Sequence, residues 1–164
     1  MDLLSPRLRL ALRTPADIRD LLDGRGGATP WASGYPLDGT LVAAAMQAEL
    51  HERGIDPGPF GQYRVIRRED DVVIGDIGFH QPPDELGEVS VGFGIVPEAR
   101  GRGYATEALR TLLEWALRHP DVRAVHADTD LVNLASQRVL VKAGMVLVAD
   151  EGDRKVYEIL GERA

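Results

Sequence analysis

The chain has 164 residues, a formal net charge of −7 and no cysteine. Its length fits one domain with its own core, which we expect to span residues 1–164. The lack of cysteine excludes disulfides and a thiolate nucleophile, and because zinc then loses its commonest soft ligand we expect no metal site. The acidic charge argues against nucleic-acid binding and mildly favours cationic partners. The opening residues contain no long apolar run, so we expect no signal peptide, no membrane span and a cytoplasmic location.

The first part of the chain is predicted to form one strand and two helices. Residues 7–13 alternate basic and apolar side chains, which predicts a half-buried strand with its arginines outward. Thr14 is a good helix cap, Asp17 suits the positive first turn of the helix, and Gly24 is placed to end it. Apolar residues at helical spacing over residues 41–50 predict the second helix.

The segment between these helices, residues 24–39, is rich in glycine and proline but contains Trp31 and Tyr35. Flexible linkers seldom carry such aromatic residues. We predict a loop that covers a substrate site, with Trp31, Tyr35 and Asp38 near the substrate. The alternative is that the two rings simply hold the loop onto the core.

The middle of the chain is predicted to contain a hairpin, a central strand and a long helix. Residues 62–68 and 72–80 are predicted to form the two strands of the hairpin. Alternating apolar residues over 89–95 predict the central strand, which Pro97 ends because proline cannot donate a ladder hydrogen bond. Apolar residues at three- and four-residue spacing over 105–117 then predict an amphipathic helix.

The turn between this strand and helix, Arg-Gly-Arg-Gly-Tyr-Ala over residues 100–105, has the composition of an anion site. Glycine lets a ligand approach the main chain closely, and the first N–H groups of a helix lack internal partners. A diphosphate fits there, with Arg100 and Arg102 as charge-assisted donors. The alternative is a glycine-rich helix start that binds nothing. Thr106 stands where a dinucleotide fingerprint needs a third glycine or alanine, and no P-loop sequence is present.

The C-terminal part is predicted to complete the sheet. Residues 122–128 read as a strand, and Asn133 caps a helix that Gly144 ends. Residues 145–148 and 155–160 then read as a closing hairpin.

Two stretches resemble the GNAT acetyltransferase superfamily. Arg100, Gly103 and Ala105 match its acetyl-CoA signature, Gln/Arg-x-x-Gly-x-Gly/Ala. Residues 133–145 resemble the N-x-x-S-x-x-V-L-x-K-x-G-F segment of the branch related to ribosomal-protein N-terminal acetyltransferases, and residues 7–10 resemble that branch's first strand. The resemblance implies an α+β fold in α/β/α layers, with a mixed, mostly antiparallel sheet of about six to seven strands flanked by about four helices.

By this resemblance, the chain should transfer an acetyl group from acetyl-CoA to a primary amine through direct attack on the thioester. The acceptor would be a peptide N-terminus or a small-molecule amine, and the protein a monomer or homodimer. In this family the segment between the first two helices commonly shapes the acceptor pocket. The residues that the resemblance implies for cofactor binding are Ile95, Val96, Arg100, Gly101, Arg102, Gly103, Tyr104, Ala105, Thr106, Asn133 and Ser136.

The general base is open at this point. Relatives often carry Glu two residues before the Gly-aromatic pair of the central strand, and Ser90 occupies that position here. Glu88 lies on the same strand face, where it could act through water or stand solvated at the strand start. His80 and His126 are further candidates, although a hydrogen-bonded core histidine is the alternative for His126.

The general acid is open as well. Many GNAT enzymes use a Tyr where this chain has Leu140, which cannot donate a proton, so Ser136 is the nearest candidate. Glu88, Ser90 and Ser136 therefore form the expected catalytic set. Because the usual Glu and Tyr are missing, a CoA-binding or acyl-CoA-sensing module with impaired catalysis is the alternative function.

Overall fold

The computed structural model describes residues 1–130 and 133–161, and within them it contains an eight-stranded sheet and four α-helices. In chain order the elements are β1 (Asp2–Leu4), β2 (Leu8–Leu12), α1 (Pro15–Leu22), α2 (Asp38–Glu52), β3 (Gln62–Arg67), β4 (Val72–Phe79), β5 (Glu88–Ile95), α3 (Tyr104–Arg118), β6 (Ala124–Asp130), α4 (Leu134–Lys142), β7 (Val146–Asp150) and β8 (Arg154–Leu160). Nowhere in this described part is a helix both long and apolar enough to cross a bilayer.

The strands lie in the order β1-β2-β3-β4-β5-β6-β8-β7, and every neighbouring pair is antiparallel except β5 with β6. The predicted mixed, mostly antiparallel sheet in an α+β fold is therefore confirmed. The described sheet has eight strands rather than six to seven, because Asp2–Leu4 pairs with β2. A three-residue strand is too short to show a hydrophobic period, so its sequence gave no signal.

The two faces of the sheet carry two layers of helices. Leu8 and Leu10 of β2 are fully buried in the larger core, which α3 covers. The predicted outward position is wrong for Arg13, whose exposed fraction is only 6%. The loop before α2 and the start of α2 cover that face, so a cation on the polar side of β2 is enclosed.

Strands β5 and β6 run side by side only at their start. The parallel ladder joins residues 88–90 to residues 124–126, where Ser90 is the partner of His126. Beyond that point β5 stays paired with β4 through Ile95, while β6 stays paired with β8. A gap therefore opens between the two central strands at the end where β5 leads into the glycine-rich turn.

Candidate functional site: two clefts that meet on strand β5

The hydrogen bonding of β5 decides which of its backbone groups face the gap. The N–H of His80 donates to the Ser90 carbonyl at 3.0 Å, and the N–H of Val96 donates to the Ile74 carbonyl at 2.9 Å. Hydrogen-bonded pairs alternate in an antiparallel ladder, so the even-numbered residues of β5 bond to β4. The odd-numbered residues over 91–95 therefore direct their N–H and C=O groups into the gap.

This pattern separates Ile95 from Val96, two residues that the resemblance implies for cofactor binding, where backbone groups would hold the pantetheine arm of CoA. Ile95 faces the gap, and its carbonyl already accepts a hydrogen bond from Arg100 Nε at 2.8 Å. The N–H of Val96 is used within the sheet, and its side chain is fully buried. Phe93, which sequence reasoning missed, contributes both an N–H and a carbonyl on the gap side.

The glycine-rich turn has the backbone that its composition predicts. Gly101 and Gly103 have φ values of 78° and 82°, in the left-handed region that favours glycine. Gly103 precedes the first residue of α3, and no side chain caps that end of the helix. The first N–H groups of α3 are therefore left for a ligand at the positive end of the helix dipole.

Arg7 holds this turn from behind, a role that sequence reasoning missed. Its Nη1 donates to the Arg102 carbonyl at 2.8 Å, and its guanidinium carbon lies 4.4 Å from the centre of the Tyr104 ring. Its Nε pairs with Glu107 at 2.7 Å, and Ser5 donates to the same carboxylate at 2.6 Å. Burial alone would raise the pKa of Glu107, but these hydrogen bonds outweigh burial and hold it below the ordinary value. The start of the chain thus fixes the start of α3.

A cleft of about 490 Å³ runs from the gap past this turn to α4. Most residues expected to bind the cofactor line it, namely Ile95, Arg100, Gly101, Gly103, Tyr104, Ala105, Thr106, Asn133 and Ser136. Arg138 and Lys142 of α4 also line it and add two cations that sequence reasoning missed. Val96 and Arg102 are not among the lining residues, and the Arg102 carbonyl is held by Arg7. The uncapped helix start, the glycine backbone and these cations suit a diphosphate, so the residues present fit a CoA ligand.

Asn133 and Ser136 are bonded to each other at the start of α4. The Asn133 side-chain oxygen accepts the Ser136 N–H at 3.1 Å, so its capping role is realised. The Asn133 amide group and the Ser136 hydroxyl are the polar groups that these residues can still offer to a ligand.

A second cleft of about 400 Å³ lies on the other side of β5, under α2. Its walls come from α2, from β4 and from the glycines of β5, with apolar Leu37, Val42 and Met46 on the α2 side. Phe93, Gly94 and Arg100 line both clefts. The same stretch of β5 therefore lies between the first cleft, whose residues suit a diphosphate, and the second cleft.

The second cleft is floored by a buried ionic cluster centred on Asp76. Asp76 Oδ1 accepts from the Tyr35 hydroxyl at 2.7 Å and from Arg13 Nη2 at 3.1 Å, and Oδ2 accepts from the Thr40 hydroxyl. Arg13 also donates to the Tyr35 oxygen. Burial, followed by the charge of Asp76, raises the pKa of Tyr35, so its hydroxyl stays a donor. The cluster ties β2, the loop before α2 and β4 together.

Comparison with known proteins identifies the family. Residues 7–146 match the family described as Acetyltransferase (GNAT) domain. The chain belongs to the GNAT family. The expectation drawn from residues 100–105 and 133–145 is thereby confirmed.

Individual relatives agree with this assignment. The N-acetyltransferase YjdG of Bacillus subtilis is 33% identical over 88 residues, which cover 54% of this chain and 52% of that protein. YnaD of the same organism is 31% identical over 86 residues, covering 51% and 49%. These alignments span about half the length of the curated relatives.

Solved structures show the same fold across the whole chain. RimL, a ribosomal-protein alpha-N-acetyltransferase solved in complex with coenzyme A, superimposes with a TM-score of 0.69 at 17% identity and 98% coverage of both chains. A GNAT-family acetyltransferase from Bacillus anthracis gives a TM-score of 0.66 at 19% identity, covering 99% of this chain and 100% of the other.

The three loop residues expected near the acceptor, Trp31, Tyr35 and Asp38, are not among the residues that line either cleft. Tyr35 is only 8% exposed, and its ring packs edge-on against Trp31 with centroids 5.3 Å apart. Trp31 forms an isolated bridge to Val73 of β4, and Asp38 is an exposed residue at the start of α2. The loop contributes Leu37 to the second cleft instead. This arrangement supports the alternative that the rings hold the loop onto the core.

The expected catalytic residues are divided between the clefts and the sheet. Ser136 lines the first cleft, whereas Glu88 and Ser90 are half-buried on β5 and are not among the lining residues of either cleft. His126 Nε2 lies 2.6 Å from Glu158 Oε2, so His126 is a hydrogen-bonded histidine within the sheet. His80 lines the second cleft.

Proposed function

We propose that this GNAT domain transfers an acetyl group from acetyl-CoA to a primary amine. The observation that carries the proposal is the meeting of two clefts at Phe93 and Gly94, where β5 has left β6. One cleft has the anion-binding turn, and the other has room for an acceptor. An amine in the second cleft would reach a thioester in the first at this stretch of backbone.

Backbone N–H groups and three cationic side chains would bind CoA and polarise its thioester. The N–H groups of residues 101–106 and the side chains of Arg100, Arg138 and Lys142 would hold the phosphates of CoA. Acetyl-CoA supplies an activated acetyl thioester. The gap-facing N–H groups of Phe93 and Ile95 are donors for the arm and the thioester carbonyl. Fixed donors of this kind stabilise the negative charge that develops on a carbonyl oxygen under attack.

The acceptor is a peptide N-terminus or a small-molecule amine. Ribosomal-protein acetyltransferases and a spermidine N-acetyltransferase chimera share this fold at 15–17% identity, so the fold alone does not select between the two classes. The apolar α2 wall favours an amine attached to an apolar group. The chain would act as a monomer or a homodimer in the cytoplasm.

Calorimetric titration with CoA tests the cofactor cleft. Gly101→Glu places a negative charge beside the diphosphate, and it should weaken CoA binding by at least about tenfold. Gly24→Glu is a matched control: both glycines have left-handed φ, 78° and 75°, and both have open space where a Cβ would stand. Gly24→Glu should bind CoA normally. Equal affinities in the two variants would contradict the assignment of the turn.

Release of free thiol from acetyl-CoA across a panel of amines and peptides tests the transfer itself. Ser90 and the fully buried Leu140 replace the Glu and Tyr that relatives often use, which keeps a binding or sensing module as the second candidate. Tight CoA binding without thiol release for any acceptor would favour that module. Acceptor-dependent release would favour the enzyme.

A further inference from the structure

One row of residues across the sheet carries two histidines on the face that lines the second cleft, which is called the acceptor cleft from here on. The His80 N–H bonds to the Ser90 carbonyl, Ser90 is the register partner of His126, and His126 is the register partner of Glu158. Side chains that occupy one row across neighbouring strands point to the same face. The two imidazoles therefore flank Ser90 from β6 and from the end of β4, close to the point where β5 leaves β6.

Their surroundings differ in a way that separates their roles. The His126 ring is bonded to Glu158 at 2.6 Å, and His126 is not among the residues that line the acceptor cleft. His80 is exposed and lines that cleft. Its Nε2 lies 3.1 Å from the position that a Cβ would take on Gly92. The glycine thus lets the ring lie against the backbone of β5, one residue before the gap-facing N–H of Phe93.

We propose that His80 is the general base that takes a proton from the acceptor amine. The proposal rests on the proposed function. An ammonium group in the cleft would give one proton to the imidazole, and its nitrogen would then carry a free electron pair. As the new C–N bond forms, the C–S bond breaks and sulfur keeps the bonding electrons. The second nitrogen proton then passes to the thiolate, so the products are the amide, CoA thiol and protonated His80.

The groups around His80 favour this assignment over a purely structural one. The α2 residues near it are apolar or neutral: Ala43 and Met46 line the second cleft with His80, and Gln47 and Leu50 line a small neighbouring cavity that His80 also lines. On its own strand the nearest acid on the same face is Asp76, which is paired with Arg13 and accepts hydrogen bonds from two hydroxyls. On β5 the same face carries Glu88, and β3 contributes neutral Gln62 and, beside Asp76, the cation of Arg64. Arg100 is the cation of the cleft. Imidazole is the side chain that ordinarily changes protonation near neutral pH, which suits proton removal from an amine.

Paired variants separate the two histidines. His80→Gln should lower kcat by about 10²–10⁴-fold and remove the acidic limb of the kcat/KM profile, while the Kd for CoA stays unchanged. Added imidazole should restore part of the rate in His80→Ala. His126→Gln, the matched control, should keep both the limb and most of the rate. In the CoA-bound protein, the His80 Hε1 NMR signal should shift when acceptor is added, and the His126 signal should stay in place.

A second variant tests the contact with β5. Gly92→Ala should shift the imidazole by a few tenths of an ångström away from β5, because 3.1 Å is closer than a Cβ normally approaches. It should lower kcat without changing CoA affinity. If the wild type is active and His80→Gln keeps the wild-type pH profile, the assignment of His80 is overturned. It is also overturned if the acidic limb is lost in His126→Gln instead. Neither result would affect the proposed function. A wild type that binds CoA but transfers acetyl to no acceptor would overturn the proposed function.

Discussion

Removing the cation from the buried cluster should cost this domain a large part of its stability. Arg13 and Asp76 lie 3.1 Å apart with side chains that are 5% and 11% exposed. In Arg13→Met the Asp76 carboxylate keeps hydrogen bonds from Tyr35 and Thr40 but loses its only ion-pair partner in the described part of the chain. A buried charge left without its partner typically costs about 3–5 kcal/mol.

That magnitude is measurable by urea unfolding. A domain of this size is expected to have an unfolding free energy of about 5–15 kcal/mol. With an m-value of about 2 kcal/mol per molar urea, a loss of about 4 kcal/mol lowers the unfolding midpoint by about 2 M. The m-value should stay constant, since the loss acts on stability and leaves the compactness of the two states alone.

Arg64→Met is the matched control. Arg64 of β3 pairs in register with Asp76, and its buried Nε has no hydrogen-bond partner among the described residues. Its replacement should therefore be close to neutral or even stabilising, because an unsatisfied buried donor is removed. The double variant Arg13→Met with Asp76→Leu should recover much of the loss, since both charges leave together. If Arg13→Met cost no more than Arg64→Met, the reasoning about a buried charge would be refuted.

Two further predictions concern Trp31 in the loop before α2 and Glu107, which Ser5 and Arg7 bond at the start of α3. Trp31→Ala should lower the melting temperature, with a cost of about 3 kcal/mol, because the ring packs on Tyr35 and on the small core of Ile18, Leu21 and Ala44. The Michaelis constants for amine and acetyl-CoA should stay nearly unchanged; a large rise in the amine constant alone would instead place the ring at the acceptor. Hydrogen bonds from Ser5 and Arg7 lower the pKa of Glu107 below its ordinary 4.5, so the stability they add is present above that pH and is lost as pH falls through the folded-state pKa. Urea midpoints measured from neutral pH down to about pH 3 should fall less in Glu107→Gln than in wild type, and parallel curves would contradict this linkage.

The order of strands and helices could be predicted because it depends on local periodicity. Strand alternation and helix spacing placed most elements within two or three residues, and Thr14 and Asn133 cap the helices they were expected to cap. The burial of Arg13 could not be predicted in this way. A period of two divides a strand into two faces, but it does not tell whether helices cover one face or both.

The two clefts also differ in whether local sequence could predict them. The cofactor turn is contiguous in sequence, so its glycines and arginines could be recognised together. The acceptor cleft gathers residues from α2, β4 and β5, which are distant in the chain. Asp76 and His80 stand within or just after an otherwise apolar strand, and only the strand pairing shows that they share a face with Gly92 and Gly94.

Alternate residues of strand β5 serve the two clefts in different ways. Its odd-numbered backbone groups open toward the gap, while its even-numbered positions, Gly92 and Gly94, leave space for His80 and Leu37 on the acceptor side. Insertion or deletion of a single residue here would exchange the two sets, since side chains and hydrogen-bonding directions both repeat every second residue. The gap and the acceptor floor would then be lost through one change. Both clefts thus require the same register of β5, which is a stricter requirement than hydrophobic packing alone would impose.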